Sequence, residues 1–263
     1  HGAVNTLATT GLLFALFTSW SINLHRTPLA EVAGLDTRPA SDRDLTTLCE
    51  RLVERANLAR AEVHENESDG TMRLNDAPGQ ALARTWLAFH RAEQLHRPLF
   101  RGRVGRVKRL TVLSEPATRL GFGGLYLAVT GEPTVSASLP PAGLPFAACH
   151  QLGHQVGWAG EADASFAGWL ACTSHPDADF RYAAHLAALD GAMDALLAID
   201  PSAWRPLIER VTPEVRNDWR TLDRIGVGCP QLDLPTTGRP SSWIDLLLAH
   251  ERREAAVREA SLR

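Results

Sequence analysis

Apolar side chains recur every three or four residues along most of this chain and every second residue only in a short central part, which predicts a mainly helical fold with a small strand element. Leu45, Leu48, Leu52, Ala56 and Ala59 define a helix over residues 42–65, started by Ser41 with Asp44 three residues on, a capping-box-like pair. A second helix follows from Gln80 to Leu95, after a polar loop, and closes at Pro98 and Gly102. Residues 109–115 (RLTVLSE) and 123–140 read as strands, the latter as a hairpin turned at Gly131 to Pro133. Helical spacing returns at 146–156 and again from Glu161, with Gly157 and Gly160 marking a break between the two. Beyond residue 173 the pattern is helical almost throughout. Asp177 to Ile199 is rich in Ala and Leu, and Asp200-Pro201 and Thr212-Pro213 are cap-plus-proline starts. The last helix begins at Trp243, and its charged end (HERREAAVREASLR) reads as a solvated tail. The expected class is mainly α with a small antiparallel β element, α+β.

One stretch departs from this amphipathic pattern. Residues 6–24 contain no charge, and Trp20 and Arg26 would suit the interface where a span leaves a bilayer. The length fits either a membrane helix or a buried core helix, and the lack of a basic leader makes it a poor signal peptide. The expected division is a hydrophobic, membrane-associated helix over 1–26 and one domain over 27–263. His1 in place of methionine suggests a processed or truncated chain.

Composition narrows the function classes. With 263 residues, 44% hydrophobic and a net charge of −3, the chain can bury one large core, and no basic stripe with interleaved aromatics marks a nucleic-acid partner. Cys49, Cys149, Cys172 and Cys229 form no CxxC pair, so they read as buried free thiols rather than a zinc knuckle or redox motif. Cys149 and Cys172 fall on neighbouring predicted helices, close enough for a disulfide to be the alternative. His64, His90 and His96 read as surface or packing residues.

The chemistry concentrates in LPFAACHQLGHQVGWAGEADASFAGWLAC, residues 144–172. His150 and His154 stand four apart, which on a helix puts both imidazoles on one face, a turn apart, where they can bind one metal ion. After the glycine-marked break, Glu161 or Asp163 opens the next helix; two residues apart, they point in different directions and only one can face the histidines. Two imidazoles and one carboxylate are a typical zinc-enzyme set with a fourth position open. The residue after the first histidine, where such enzymes carry a glutamate base, is Gln151. An amide cannot take up a proton, so a loss on the order of 10²–10⁴ in rate is expected with metal binding intact. The isosteric swap in otherwise complete surroundings points to an engineered substitution that disarms the enzyme, with a natural pseudopeptidase, a zinc-containing peptide-binding or sensor protein, as the alternative. A strand pair just before the first metal-binding helix would present an edge to an extended peptide, or only cover the core.

The run CHQLGHQVGWAGEADASF resembles HExxHxxGFxxEDEANF, the signature of a family of bacterial membrane-anchored, zincin-like zinc metallopeptidases of gluzincin type, catalogued as a domain of unknown function. SWSINLHRTPLAE is similar to that family's WGLNYYRxPLAE at the end of a transmembrane helix, LPFAACH to its LPFxxAHE, and RYAAHLAAL to its YSxYLxAL. The E-x-x-A spacing of Glu161 and Ala164 also resembles the third-ligand motif of CAAX-prenyl-protease-type membrane peptidases, which selects Glu161 over Asp163. Gln151, Asp163, Ser165 and His185 stand where the family pattern has glutamate, glutamate, asparagine and tyrosine. The resemblance implies a zincin-like core holding Zn2+ through His150, His154 and Glu161. It also implies Asp163, Ser165 and His185 in the surrounding shell, and Tyr182 as a hydrogen-bond donor to the oxyanion. The implied partners are a peptide or protein substrate and a bacterial cell membrane, with the domain outside the cytoplasm.

Overall fold

The computed structural model describes residues 9–11, 27–39, 41–111, 114–115, 123–128, 130–224 and 243–262. The uncharged run 6–24, the loop before Trp243 and Cys229 lie wholly or mostly outside these residues. Helices dominate: α1 (Leu29–Ala33), α2 (Asp42–Arg60), α3 (Pro78–Leu95), α4 (Leu144–Gln155), α5 (Glu161–Thr173), α6 (Ala178–Ile199), α7 (Pro201–Arg210), α8 (Pro213–Asp223) and α9 (Trp243–Ser261). Their starts follow the local chemistry. Ser41 Oγ accepts from Asp44 N at 3.2 Å while Asp44 Oδ2 accepts from Ser41 N at 3.1 Å, the reciprocal capping box. Asp200 accepts from the amides of Ser202 and Ala203, Thr212 from that of Val215, and Pro201 and Pro213 occupy positions where a helix has no N–H to lose. α2 ends at Arg60, five residues short of the expected boundary.

The strands form two small sheets. β1 (His64–Glu65), at the end of the stretch expected to be helical, and β2 (Met72–Arg73), inside the expected polar loop, make an antiparallel ladder. The second sheet has the order β3 (Lys108–Leu110), β5 (Glu132–Ser136), β4 (Gly124–Leu127). β4 and β5 are the expected antiparallel hairpin, but β3 pairs parallel with β5, so this sheet is mixed. β3 is also shorter than the sequence pattern suggested: Ser114 and Glu115 are already helical.

α6 is the central post. It is long and apolar enough to cross a membrane, with a mean hydropathy of 1.2, but α2, α4, α5 and α7 pack around it and make it a core helix here. Two of its polar side chains, Tyr182 and Asp190, meet partners on α8 inside the core. Asp218 on α8, fully buried, accepts from Arg60 Nε at 2.6 Å, Tyr182 Oη at 2.7 Å and Met72 N at 2.6 Å, tying α2, α6, α8 and β2 to one carboxylate. The charged end of the C-terminal helix is exposed from Arg253 onward apart from the half-buried Ala255, as expected, but its first residues are anchored in the core. Glu251 is buried between Arg51 (2.9 Å) and Arg55 (2.6 Å) of α2, and His250 lies against the rings of Phe166 and Trp169. Cys49, Cys149 and Cys172 are buried free thiols, as expected; Cys172 Sγ donates to the Phe180 carbonyl at 3.1 Å.

Two predictions follow from the buried polar groups. Removing the carboxylate in Asp218→Ala leaves the buried Arg60 guanidinium with only the half-exposed Glu65 at 3.4 Å and the Gly70 carbonyl, and strips Tyr182 Oη and Met72 N of their acceptor, so urea titration should register a loss of about 3–5 kcal/mol. A wild-type-like midpoint would mean that Arg60 finds water instead. The second prediction concerns His175 and His185, which burial pushes down to about 4; Asp177 partly opposes this for His175, while Arg55 and Arg181 reinforce it for His185. His175 is held neutral by the Asp177 amide donating to its Nδ1 at 3.0 Å, under the Phe180 ring. Both pKa values lie below that of an unfolded histidine, near 6.5. The unfolded chain therefore takes up protons that the folded chain refuses. Stability is full above about pH 6.5 and falls as the pH drops toward 4, by about 2 kcal/mol per histidine at pH 5. Unfolding of the metal-free chain at pH 7 and pH 5 measures this, and His175→Asn should flatten the slope.

Candidate metal centre

Two helices meeting backbone to backbone build the site. A methyl group on Gly153 of α4 would stand 2.6 Å from the Ala164 carbonyl of α5, and one on Gly168 would stand 2.9 Å from the main chain of His150. Only glycine at both positions lets α4 and α5 approach this closely. Between the helices the chain reverses at Gly157, whose φ of 116° suits no L side chain. That reversal brings Glu161, first residue of α5, back over the turn that carries His154.

The three candidate ligands converge. His150 Nε2 lies 3.1 Å from Glu161 Oε2, His154 Nε2 lies 3.4 Å from Glu161 Oε1, and the two Nε2 atoms are 3.1 Å apart. Donors bound at the usual 2.0–2.1 Å to a tetrahedral metal are separated by about 3.3 Å, the edge of that tetrahedron. The outer nitrogens are held from behind. His154 Nδ1–H donates to the Trp158 carbonyl at 2.8 Å, and His150 Nδ1 lies 3.1 Å from Ser165 Oγ. In the tautomer these contacts favour, both Nε2 lone pairs face each other and the carboxylate, an arrangement that a cation resolves. His150, His154 and Glu161 are the group able to hold a metal ion among the described residues.

Electrostatics support ligand readiness. Burial pushes the His150 imidazole down and outweighs the opposing pull of Glu161, which keeps the lone pair available at neutral pH. Burial alone would push the Glu161 carboxyl up; the His150 and His154 imidazoles beside it overcome this and hold the group well below the usual carboxylate range.

Gln151 is buried at 6% exposure, and its Oε1 has no protein hydrogen-bond partner. Its side chain lies under β4, where a methyl group on Gly124 would come within 3.1 Å of Gln151 Cγ. Two residues along β4, the Tyr126 ring stacks on His154 at 6.1 Å. Neither contact was expected. The alternation of the strand, with Gly124 and Tyr126 half-buried and Leu125 and Leu127 exposed, is the signal that could have found them. The Trp158 carbonyl, a main-chain group, leaves no mark in the sequence.

The outer residues divide. Ser165 stands behind His150 as expected. Asp163 is buried in the first turn of α5 but does not join the three ligands. Tyr182 corrects the expectation of an oxyanion donor. It is 0% exposed, its hydroxyl donates to Asp218, and burial together with that carboxylate pushes its pKa far up. His185, three residues on, faces a different environment, with Arg55, Arg181 and Glu251 as its charged neighbours. Tyr182 is tied through Asp218 to α2 and α8, and the charged neighbours of His185 come from α2, α6 and α9.

Calorimetric titration with a divalent metal should therefore give one ion per chain, no binding in His150→Ala, and affinity weakened about 10–100-fold in Ser165→Ala. Tyr182→Phe should leave the isotherm unchanged while lowering stability; a metal defect in that variant would return Tyr182 to the site.

Neither a curated protein nor a solved structure matches this chain. Residues 1–225 match the profile of a family described as a protein of unknown function (DUF3810). That match covers most of the 263 residues, including all of the metal group. The chain belongs to the DUF3810 family.

Proposed function

We propose that this protein is a zincin-like zinc metallopeptidase of a bacterial membrane whose general-base position is filled by Gln151, leaving it inactive or crippled as it stands. The observation that carries the reading is the ligand triangle, with edges of 3.1, 3.1 and 3.4 Å, in which both histidines are braced at Nδ1. Two imidazoles and one carboxylate form a donor set suited to zinc. Zinc held there would supply Lewis acidity toward a carbonyl and a water nucleophile at neutral pH.

The chain's own residues complete the description. Among the described residues β4 is an edge strand of this sheet, so main-chain groups on its outer side could pair with an extended peptide and align it across His150 and His154. Tyr126 on the same strand fixes the face of His154. Position 151 lies between strand and ligands, where a glutamate carboxylate would take a proton and return it to the leaving amine. The Gln151 amide fills the same space and accepts no proton. The membrane part of the proposal rests on the uncharged run 6–24.

Gln151→Glu is the direct test. With zinc bound, the variant should cleave quenched fluorescent peptides at least about 100-fold faster than the parent chain. Zinc content should be near one per chain in both, as measured by atomic absorption. A zinc-loaded, folded Gln151→Glu protein without peptidase activity would sink the catalytic reading and leave a peptide-binding role. A folded chain that takes up no zinc would sink both.

A further inference from the structure

The chain as a whole is acidic by three charges, yet from Gln94 to Ser114 it contains no acid and six cations: Arg97, Arg101, Arg103, Arg106, Lys108 and Arg109. This stretch is pinned to the body of the protein. Leu99, Phe100 and Val107 are buried, the Trp158 indole donates to the Leu99 carbonyl at 2.9 Å, and Gly105 N donates to Gln155 Oε1 at 2.5 Å. With the apolar residues turned inward, Arg97, Arg101, Arg103 and Arg106 are all exposed. Their guanidinium groups have no ion pair or hydrogen bond among the described residues, whereas Lys108 pairs with Glu132 and Arg109 bonds the Ala137 carbonyl. Leu95, beside them, is 70% exposed.

Where this face sits suggests what covers it. α1 packs on the turn Arg97–Leu99, with Leu29 fully buried, and Arg253 of α9 fixes the end of α1 through the Ala33 carbonyl. Leu24, the last residue of the uncharged run, is five residues before Leu29. Five residues span at most about 17 Å. If residues 6–24 lie in a bilayer, the four unpaired arginines are tethered close to its surface, where the attraction of anionic headgroups acts over about one Debye length.

We infer that the exposed face built by Arg97, Arg101, Arg103 and Arg106, with Leu95 at its edge, docks on the anionic phospholipid headgroups of the membrane that holds residues 6–24. The inference rests on the membrane reading of that run and is independent of catalysis. Guanidinium groups donate paired hydrogen bonds to lipid phosphates, and a short apolar side chain beside them suits the headgroup layer. Glu31 and Asp36 are the acids near α1 in sequence, and Asp36 is paired with Arg38.

The test uses the full chain with phosphatidylcholine vesicles, with and without phosphatidylglycerol. Flotation on phosphatidylcholine alone reports insertion of residues 6–24, and an environment-sensitive dye on Leu95→Cys reports docking; the parent chain controls for labelling at Cys229. Dye transfer to a less polar environment should need at least about tenfold less phosphatidylglycerol-containing lipid than phosphatidylcholine at low salt, and high salt should erase the preference. The quadruple change of Arg97, Arg101, Arg103 and Arg106 to Gln should abolish it without altering the thermal melt. A preference that survives the quadruple change, equal docking on both lipids, or heparin competing as well as anionic vesicles would each overturn the assignment. A chain that fails to float on phosphatidylcholine yet docks on anionic vesicles through these arginines would instead remove the inserted run and keep the face.

Discussion

The candidate metal centre depends on one steric constraint, the main-chain contact between α4 and α5. At Gly153 and Gly168 the facing helix comes closer than any Cβ allows. With both helices drawn together, the first turn of α5 hangs over the last two turns of α4, and the Glu161 carboxylate needs only its own length to reach both imidazoles. A helix pair at the usual 8–10 Å separation would leave that carboxylate in solvent. The composition of α5 follows: Ala164, Ala167, Gly168 and Ala171 give it a slender face, and bulk is displaced to Phe166, Trp169 and Leu170.

Around that pair, charge is used sparingly and in depth. Asp218 and Glu251 are buried carboxylates, each neutralised by arginine from α2, and each joins helices distant in sequence. Such pairs add little net stability over apolar packing, but they leave few alternative ways to dock the helices. Asp218 fastens α6 to α8 through Tyr182, while Glu251 fastens α9 to α2. The Tyr182 hydroxyl is absorbed in this framework, its proton committed to Asp218.

The convergence of His150, His154 and Glu161 was legible in the sequence because its information is local. A four-residue histidine spacing, a glycine-marked reversal and an acid at a helix start are all short-range facts, as are the caps at Ser41, Asp200 and Thr212. What the sequence hid is tertiary. Nothing in RLTVLSE distinguishes a parallel neighbour from an antiparallel one, because the pairing of β3 with β5 is decided by a connection rather than by either strand. Helical periodicity assigns Tyr182 and His185 to α6 but does not say which neighbouring helix each meets. Charge marked the end of the last helix as a solvated tail, which holds from Arg253 onward but not at Glu251, which answers two arginines roughly two hundred positions earlier in the chain.

The two histidines are braced by chemically different means, and this sets how the site can change under mutation. His154 leans on a main-chain carbonyl at position 158, which every amino acid carries; no single substitution there deletes the acceptor. His150 leans on the hydroxyl of Ser165, which a single codon change removes or replaces. Drift at position 165 can therefore retune the basicity of one ligand while the other stays fixed. Among relatives, variation in metal affinity should map to that side-chain position rather than to the turn.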